Sequence, residues 1–198
     1  MTRRVHPSKK YAITWHVFQD NGGCVQPARR KKMTKSPQAA AFTNAPLRNR
    51  IRVELKAPAS EAWALVGKLG RLPEYSAGLE KVEAREDASG ACTEYVCHFN
   101  PMQEGAAGAV HRELVRWYEA NRGYASSGAE GNAFGLKNDL NLVLLEPSKA
   151  GTIVTWDEYY DSQDLDMSRA SYDEALAEIA DNPVRRFGGS VLERHVDR

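Results

Sequence analysis

Six strand-like segments follow one another between residues 79 and 161, separated only by turns and loops. Such connections favour antiparallel pairing, because a parallel neighbour needs a longer crossover that is usually helical. One further strand precedes them, since residues 50–56 strictly alternate charged and aliphatic side chains. We therefore predict an antiparallel sheet of seven strands. The six later segments cover residues 79–86, 93–99, 110–119, 123–128, 140–146 and 152–161.

The C-terminal part of the chain has the periodicity of a helix. Ser171 and Glu174 have the spacing of a capping box, and Ser168 is an alternative N-cap. An apolar stripe then continues in phase across Pro183, so we expect one kinked helix instead of two separate ones. A helix of about 29 residues would span about 43 Å, which is long enough to cross the sheet. The stripe consists of residues 176, 179, 183, 184, 187 and 191.

Positive charge is concentrated in residues 1–35, which contain nine Lys or Arg and one acid, Asp20. The remaining residues contain 18 basic and 25 acidic side chains. Residues 1–48 also lack apolar periodicity, so we expect a mostly disordered basic extension and one domain over residues 49–198. The extension is either a solvated tail, with Met33 as an alternative start, or an arm for anionic surfaces. Because it lacks the interleaved aromatic residues that stack on bases, we expect no nucleic-acid partner.

Several classes of protein do not fit the composition. Cys24, Cys92 and Cys97 form no disulfide framework, and Cys92 and Cys97 are expected on opposite faces of one strand. The five histidines show no metal-ligand spacing, so we predict neither a metal site nor a cofactor. We find no apolar stretch of the roughly 20 residues that span a bilayer, and no signal-peptide core. We predict a reduced, cytoplasmic protein and leave its oligomeric state open.

Three motifs resemble one known superfamily. The run VELKAPASEAWALV at Val53–Val66 combines a strand, a proline and a short helix containing a tryptophan. LPEYS at Leu72–Ser76 follows it as a short helical turn, and GTIVTW at Gly151–Trp156 opens the last strand of the series. Together with the element order, these motifs resemble the START/SRPBCC superfamily, which includes polyketide cyclases and lipid-transfer domains. The resemblance covers about residues 50–196.

The resemblance implies an α+β helix-grip fold, in which a curved antiparallel sheet surrounds the long C-terminal helix and two short helices follow the first strand. It also implies a cavity between sheet and helix, the default site for a hydrophobic or amphipathic ligand. Phe134, in a glycine-rich loop, is expected to close over the mouth of this cavity. The predicted ligand-binding residues are Tyr75, Tyr95, Cys97, Phe99, Phe134, Leu142, Val154, Trp156, Tyr160 and Phe187.

Asp157 and Glu158 are adjacent acids on the last strand of the series. Neighbours on a strand point to opposite faces, so the two carboxylates do not form a catalytic pair. Glu158 shares a face with Val154, Trp156 and Tyr160, the more apolar set, and we expect it in the cavity and Asp157 on the convex surface. There Glu158 is either a general acid or base with a raised pKa, or a hydrogen-bonded residue near the cavity rim.

Strand 110–119 contains a second polar set whose orientation the alternation leaves open. Glu113, Val115 and Trp117 share one face, and Leu114, Arg116 and Tyr118 share the other. Neither set is clearly apolar. A His111–Glu113 pair is one interpretation, although a histidine near the start of a strand is more often a surface residue.

Two functions remain after these arguments. In the first, the cavity holds a hydrophobic or amphipathic small molecule, and the protein is a carrier or binding protein. In the second, the protein is an enzyme of the polyketide cyclase/dehydratase type that uses Glu158 as acid or base. Whether the chain is an enzyme at all stays open, because the motifs of the superfamily occupy structural positions.

Overall fold

An eight-stranded antiparallel sheet forms the frame of the protein in the computed structural model, which describes residues 37–101, 107–129 and 133–197. The spatial order of the strands is β2-β3-β4-β5-β6-β7-β1-β8, so consecutive strands pair from β2 to β7. The strands are β1 Leu47–Leu55, β2 Leu79–Glu86, β3 Cys92–Phe99, β4 Val110–Glu119, β5 Gly123–Gly128, β6 Lys137–Pro147, β7 Thr152–Asp161 and β8 Gly189–Val196.

Two α-helices and two short 3-10 helices accompany the sheet in the described residues. Helix α1 covers Ala59–Val66, and helix α2 covers Leu165–Phe187. The 3-10 helices cover Ala39–Ala41 and Leu69–Glu74. Helix α2 lies against one face of the sheet, which we call the inner face. The predicted α+β helix-grip fold is therefore confirmed, with one strand more than expected.

The extra strand replaces the last part of the predicted long helix. Helix α2 ends at Phe187, and both glycines that follow have positive φ, 69° at Gly188 and 142° at Gly189. A Cβ atom on Gly189 would lie 1.8 Å from the carbonyl oxygen of Glu54, so only glycine permits this approach to β1. The chain then pairs with β1 as strand β8. The apolar Val191 extended the helical stripe by coincidence, and its side chain is 52% exposed.

The start of helix α2 also differs from the prediction. The helix begins at Leu165, and the side chain of Asp164 accepts a hydrogen bond of 3.1 Å from the backbone N–H of Met167. Asp164 is therefore the N-cap, in place of Ser168 or Ser171. Pro183 lies inside the helix and is buried against the sheet. The added turns at the N-terminus bring Ser168 and Ser171 onto the helix face that meets the cavity.

Two irregularities in the ladder change which side chains share a face. In β4, Val115 pairs with Ser126 and Trp117 pairs with Ala125, so Arg116 forms a bulge. Trp117 then packs on the outer face, while Tyr118 returns to the inner face. A register shift between β2 and β3 likewise places Cys92 in the same core cluster as Cys97. The expectation of opposite faces for these two cysteines is thus wrong, and both are buried free thiols.

Apolar side chains fill both faces of the central strands. The main core lies between the inner face and the helices and includes Val53, Trp63, Trp156 and Leu176. A second cluster of buried residues lies on the outer face. It consists of Ala125, Leu140 and Leu142, with Ala39, Phe42, Trp117, Leu144 and Tyr159 packed against it.

The segment before β1 covers part of this outer cluster. Phe42 packs on it, and the hydroxyl of Thr43 donates a hydrogen bond of 2.6 Å to the carbonyl of Asn138. Residues 37–48 therefore belong to the folded unit, although the sequence placed them in the extension. The predicted disorder of residues 1–36 lies outside the described residues. Within the described part, no helix is long and apolar enough to cross a membrane.

Candidate functional site

A cavity of about 590 Å³ lies between the inner face of the sheet and helix α2. Small-molecule sites typically have volumes of about 300–1,000 Å³. The space remains because a single helix does not cover the inner face of so wide a sheet. The aromatic lining consists of Tyr95, Phe99, Tyr124, Phe134, Trp156 and Tyr172. The polar lining includes Ser76, His111, Glu113, Asn141, Glu158, Ser168 and Ser171.

A buried histidine–carboxylate pair lies in the wall formed by β4. His111 and Glu113 are two residues apart, so both side chains point to the inner face. The Nε2 atom of His111 lies 2.7 Å from Oε1 of Glu113, and the two residues are 7% and 4% exposed. Asn141 of β6 donates a second hydrogen bond, of 3.3 Å, to the same oxygen. The other carboxylate oxygen, Oε2, is buried without a hydrogen-bond partner among the described residues.

Glu158 of β7 is a second carboxylate in the cavity wall. It is the cross-strand neighbour of Asn141, which connects it to the His111–Glu113 pair through adjacent strands. Within the described part of the chain, the Glu158 carboxylate has no hydrogen bond and no ion pair. Burial raises the pKa of Glu158 well above its ordinary value, and the negative charges of Glu113, Asp139 and Asp157 raise it further.

Tyrosine hydroxyl groups extend this polar region towards β3 and α2. The hydroxyl of Tyr95 lies 2.9 Å from that of Ser126, a fully buried residue of β5. Burial raises the pKa of Tyr95, Tyr124 and Tyr172 well above the ordinary value, and nearby carboxylates raise each further. These hydroxyls therefore stay protonated at neutral pH and offer hydrogen-bond donors.

Aromatic rings surround the mouth of the cavity. The ring of Phe134 lies edge-on to Phe99 at 5.1 Å and to His111 at 5.4 Å between centroids. Phe134 is 39% exposed, and Met167 on the facing turn of α2 is 63% exposed. Phe134 thus lies in the lining at the exposed side of the cavity, and its closing over the mouth stays a prediction.

Asp157, the neighbour of Glu158, lies on the outer face and is 3% exposed. Its two oxygens accept hydrogen bonds of 2.6 and 2.8 Å from Nε and Nη2 of Arg50 on β1. Tyr159 contributes a weaker contact of 3.4 Å to the same carboxylate. Asp157 is therefore the acid of a bidentate ion pair, which raises the pKa of the Arg50 guanidinium.

Five of the ten residues predicted to bind a ligand lie in the cavity wall, and five lie elsewhere. Leu142 is the clearest error, because it packs in the outer cluster while Val143 lines the cavity. Tyr160 is buried, its hydroxyl donates a hydrogen bond to Asn49, and its ring stacks on Tyr172. Tyr75 and Val154 are fully buried core residues, and Phe187 packs at the edge of the core. The five in the wall are Tyr95, Cys97, Phe99, Phe134 and Trp156.

Asn141 is a site residue that the sequence did not identify, and the inward orientation of His111 and Glu113 was left open. The run Leu140–Leu145 has apolar residues at both alternating sets of positions, because β6 is buried on both faces. The alternation still contained a usable signal. If Val143 and Leu145 point to the inner face, Asn141 points to the same face. In β4, the bulge at Arg116 shifts the alternation, so the side chains before and after it change faces. The sequence pattern therefore did not show that His111, Glu113 and Val115 point to the inner face.

Nucleophilic and metal chemistry have little support in the described residues. Burial, with the nearby charge of Glu113, raises the pKa of the Cys97 thiol to about 12, so little thiolate forms at neutral pH. Within the described ranges, no group of three or more His, Cys, Asp or Glu side chains is arranged to hold a metal ion. The chemistry that this wall can supply is hydrogen bonding, charge and proton transfer.

Comparison with known proteins agrees with this geometry. The sequence model of the family described as polyketide cyclase/dehydrase and lipid transport matches residues 47–192. No curated protein sequence matches the chain.

Three solved structures illustrate the similarity in fold. A START superfamily protein from Mycobacterium smegmatis has a TM-score of 0.58 and 13% identity over 72% of this chain and 97% of its own. Protein XoxI from Bacillus cereus has a TM-score of 0.57 and 14% identity over 71% and 95%. The di-domain ARO/CYC StfQ of the steffimycin biosynthetic pathway has a TM-score of 0.53 and 7% identity over 70% and 48%. At these identities the likeness concerns the fold alone.

Proposed function

The chain belongs to the polyketide cyclase/dehydrase and lipid transport family, and on that premise we propose that it binds one hydrophobic or amphipathic small molecule as a carrier or binding protein. The observation that carries this proposal is the cavity of about 590 Å³ between the inner face and α2. A packed core leaves few voids larger than a water molecule, so a space of this size is a binding feature.

The lining supports an oriented ligand with an apolar body and a polar group. Trp156, Val143 and Tyr124 are cross-strand neighbours and form an aromatic and aliphatic surface in the sheet wall. Glu113 and Glu158 lie on the same wall and offer hydrogen-bonding groups. An apolar body gains free energy by burial against the first surface, while the polar group fixes the orientation at the second.

The test is native mass spectrometry of the protein after gentle purification from its own host, followed by extraction and identification of any bound molecule. We expect one small molecule per chain. The variant Ala175→Trp provides the comparison, because Ala175 is an exposed residue of α2 that lines the cavity. A tryptophan there fills the cavity without replacing a core residue, so the added mass should disappear.

A matched control comes from the preceding residue. Glu174 is exposed on the same helix and is not part of the lining, so Glu174→Trp should retain the bound molecule. An empty wild-type protein, or a molecule bound equally by both tryptophan variants, would contradict the proposal.

A second candidate function is an enzyme of the cyclase or dehydratase type. It is favoured by one observation, which is that Glu158 and the His111–Glu113 pair converge on one cavity. A carboxyl group with a raised pKa can donate a proton to a carbonyl oxygen, while a histidine held by a carboxylate can accept one from carbon. In an aldol cyclisation, proton removal beside one carbonyl gives an enolate whose carbon forms a bond to a second carbonyl carbon, and the oxygen of that second carbonyl takes up a proton as its C=O π bond breaks.

The enzyme candidate is tested with a synthetic poly-β-ketone thioester and product analysis by mass spectrometry. Cyclisation with dehydration lowers the mass by one water molecule. We expect Glu158→Gln and His111→Phe each to reduce the rate by about 100-fold or more if the groups act as acid and base. A rate equal to that of the buffer alone, with a ligand still bound, would leave only the carrier function.

A further inference from the structure

The described residues that form the cavity wall include two acids and one histidine, but no Lys or Arg. Glu113 and Glu158 are its two carboxylates, and His111 is already in contact with Glu113. Arg50, on the strand next to β7, points to the outer face and binds Asp157 there. The charged groups that act on Glu158 are Glu113, Asp139 and Asp157, which are all negative. The potential inside the cavity is therefore negative.

An unsatisfied acceptor in this wall points to a ligand that donates hydrogen bonds. Glu113 is 4% exposed, and its Oε1 atom already accepts from Asn141 and contacts His111. Its Oε2 atom is buried and has no partner within the described ranges. Buried polar atoms are nearly always hydrogen-bonded in native proteins, so an orphan carboxylate oxygen at a cavity indicates a missing donor.

We propose that the cavity selects amphipathic ligands with a primary ammonium group, which binds between Glu158 and the free oxygen of Glu113. The proposal rests on the small-molecule binding function above and adds the charge of the ligand. An ammonium group has three N–H donors and one positive charge, so it satisfies both carboxylates at once. The rings of Trp156, Tyr124 and Tyr172 lie in the same lining and favour a cation further through their π faces.

The same arrangement discriminates against ligands with an acidic head group. A fatty-acid carboxylate would bring a further negative charge next to the carboxyl groups of Glu113 and Glu158, and no Lys or Arg of the described lining would compensate it. Where Glu158 is protonated before binding, the ammonium ligand displaces that proton to the solvent, and the bound state contains ammonium and carboxylate. An alcohol of equal length is neutral and displaces no proton.

The experiment compares decylamine, 1-decanol and decanoate, which share one alkyl chain and differ in the head group. Each competes at pH 7 and below its micelle concentration with the neutral fluorescent reporter N-phenyl-1-naphthylamine bound to the full chain. Decylamine is protonated at this pH, like a lysine side chain. We expect it to displace the reporter at a concentration about tenfold or more below that of decanol, with decanoate weakest.

Variants identify the groups responsible. Glu158→Gln keeps the shape of the side chain and removes its charge, so the preference for the amine over the alcohol should fall to about threefold or less. Glu146→Gln changes an exposed acid of β6 outside the lining and should leave all three affinities unchanged.

The possible results separate this inference from the proposed function. Equal displacement by the three probes would overturn the ammonium preference and leave small-molecule binding intact. A strong amine preference that survives in both Glu158→Gln and Glu113→Gln would also overturn the assignment. A reporter that does not bind, with no displacement by any probe, would contradict small-molecule binding itself.

Discussion

The two faces of strand β7 place neighbouring carboxylates in opposite environments. On the outer face, Asp157 forms a bidentate ion pair with Arg50 and is surrounded by packed side chains. On the inner face, Glu158 borders a cavity and has no hydrogen-bond partner among the described residues. Both acids come from one dipeptide, so sequence proximity says nothing about their roles.

The two faces differ in how far the protein itself covers their apolar groups and pairs their polar groups. On the outer face, the segment containing Phe42 covers part of the cluster around Leu142. The inner face keeps open space, and among the described residues neither Oε2 of Glu113 nor the Glu158 carboxylate has a hydrogen-bond partner. Satisfied groups stabilise the fold, whereas unsatisfied groups next to a cavity reduce stability and are available for a ligand.

The largest expected effect comes from removing a packed side chain from the outer face of β6. Leu142→Ala removes a 3% exposed side chain from the outer cluster and should lower the free energy of unfolding by about 3 kcal/mol. Ligand affinity should stay unchanged, because Leu142 does not line the cavity. Urea denaturation and reporter binding measure the two quantities.

Val143→Ala is the matched change on the inner face. It should lower the free energy of unfolding by only about 1–2 kcal/mol, since the side chain is smaller and already borders open space. It should also change the affinity for apolar ligands. If Leu142→Ala altered affinity and Val143→Ala did not, the assignment of faces in β6 would be reversed.

The next effect concerns the outer acid. Asp157→Asn removes the negative partner of Arg50 and should lower the free energy of unfolding by about 2 kcal/mol, because a charged guanidinium then lacks its partner. The side chain of Arg50 is 29% exposed, which lets water compensate part of the loss. Chemical denaturation at neutral pH tests this value, and a stability equal to wild type would show that the ion pair contributes nothing.

The inner acid should respond in the opposite direction. Burial raises the pKa of Glu158, so above pH 4.5 the folded state retains a proton that the unfolded state has lost. Stability from this group is complete below the unfolded pKa and decreases as the pH rises towards the folded pKa. Glu158→Gln should therefore increase the free energy of unfolding at pH 8 by about 1 kcal/mol.

Denaturation curves measured from pH 4.5 to pH 8 test this sign. Wild type should lose stability over the range relative to Glu158→Gln, and the two proteins should converge at the acidic end. A variant that is less stable than wild type at pH 8 would indicate an ionised, satisfied Glu158. The other titratable groups that interact with Glu158 are Glu113, Tyr124, Asp139, Asp157, Tyr160 and Tyr172, and His111 contacts Glu113.

The smallest expected effects on stability distinguish the roles of two tyrosines whose rings are stacked, Tyr160 and Tyr172. Tyr160→Phe breaks a buried hydrogen bond of 2.7 Å to Asn49 and should lower the free energy of unfolding by about 1 kcal/mol. Tyr172→Phe keeps the ring stacked at 5.1 Å and removes a hydroxyl in the cavity wall. It should change stability by about 0.5 kcal/mol or less. Ligand affinity should change only in Tyr172→Phe, and the reverse pattern would place Tyr160 at the site.

The order of elements could be predicted because it depends on local signals. Alternation identified β1, turns and loops separated the series from β2 to β7, and the motifs at Val53–Val66 and Gly151–Trp156 identified the helix-grip fold. The same alternation gave Glu158 and Asp157 opposite faces, since β7 is regular over this stretch. The predicted end of the C-terminal helix was wrong, because glycines at 188 and 189 can also be tolerated inside a helix. The helix ends before them because the chain there pairs with the edge of β1, which a single segment does not reveal.

What the sequence by itself determined is the antiparallel sheet, the helix that crosses it and the opposite orientation of the two neighbouring acids of β7. These follow from periods of 2 and 3.6 residues, which are properties of a single segment. Only the tertiary structure decided that His111, Glu113 and Asn141 join Glu158 in one wall. A bulge at Arg116 and the burial of β6 on both faces set those orientations, and both depend on which strands lie alongside.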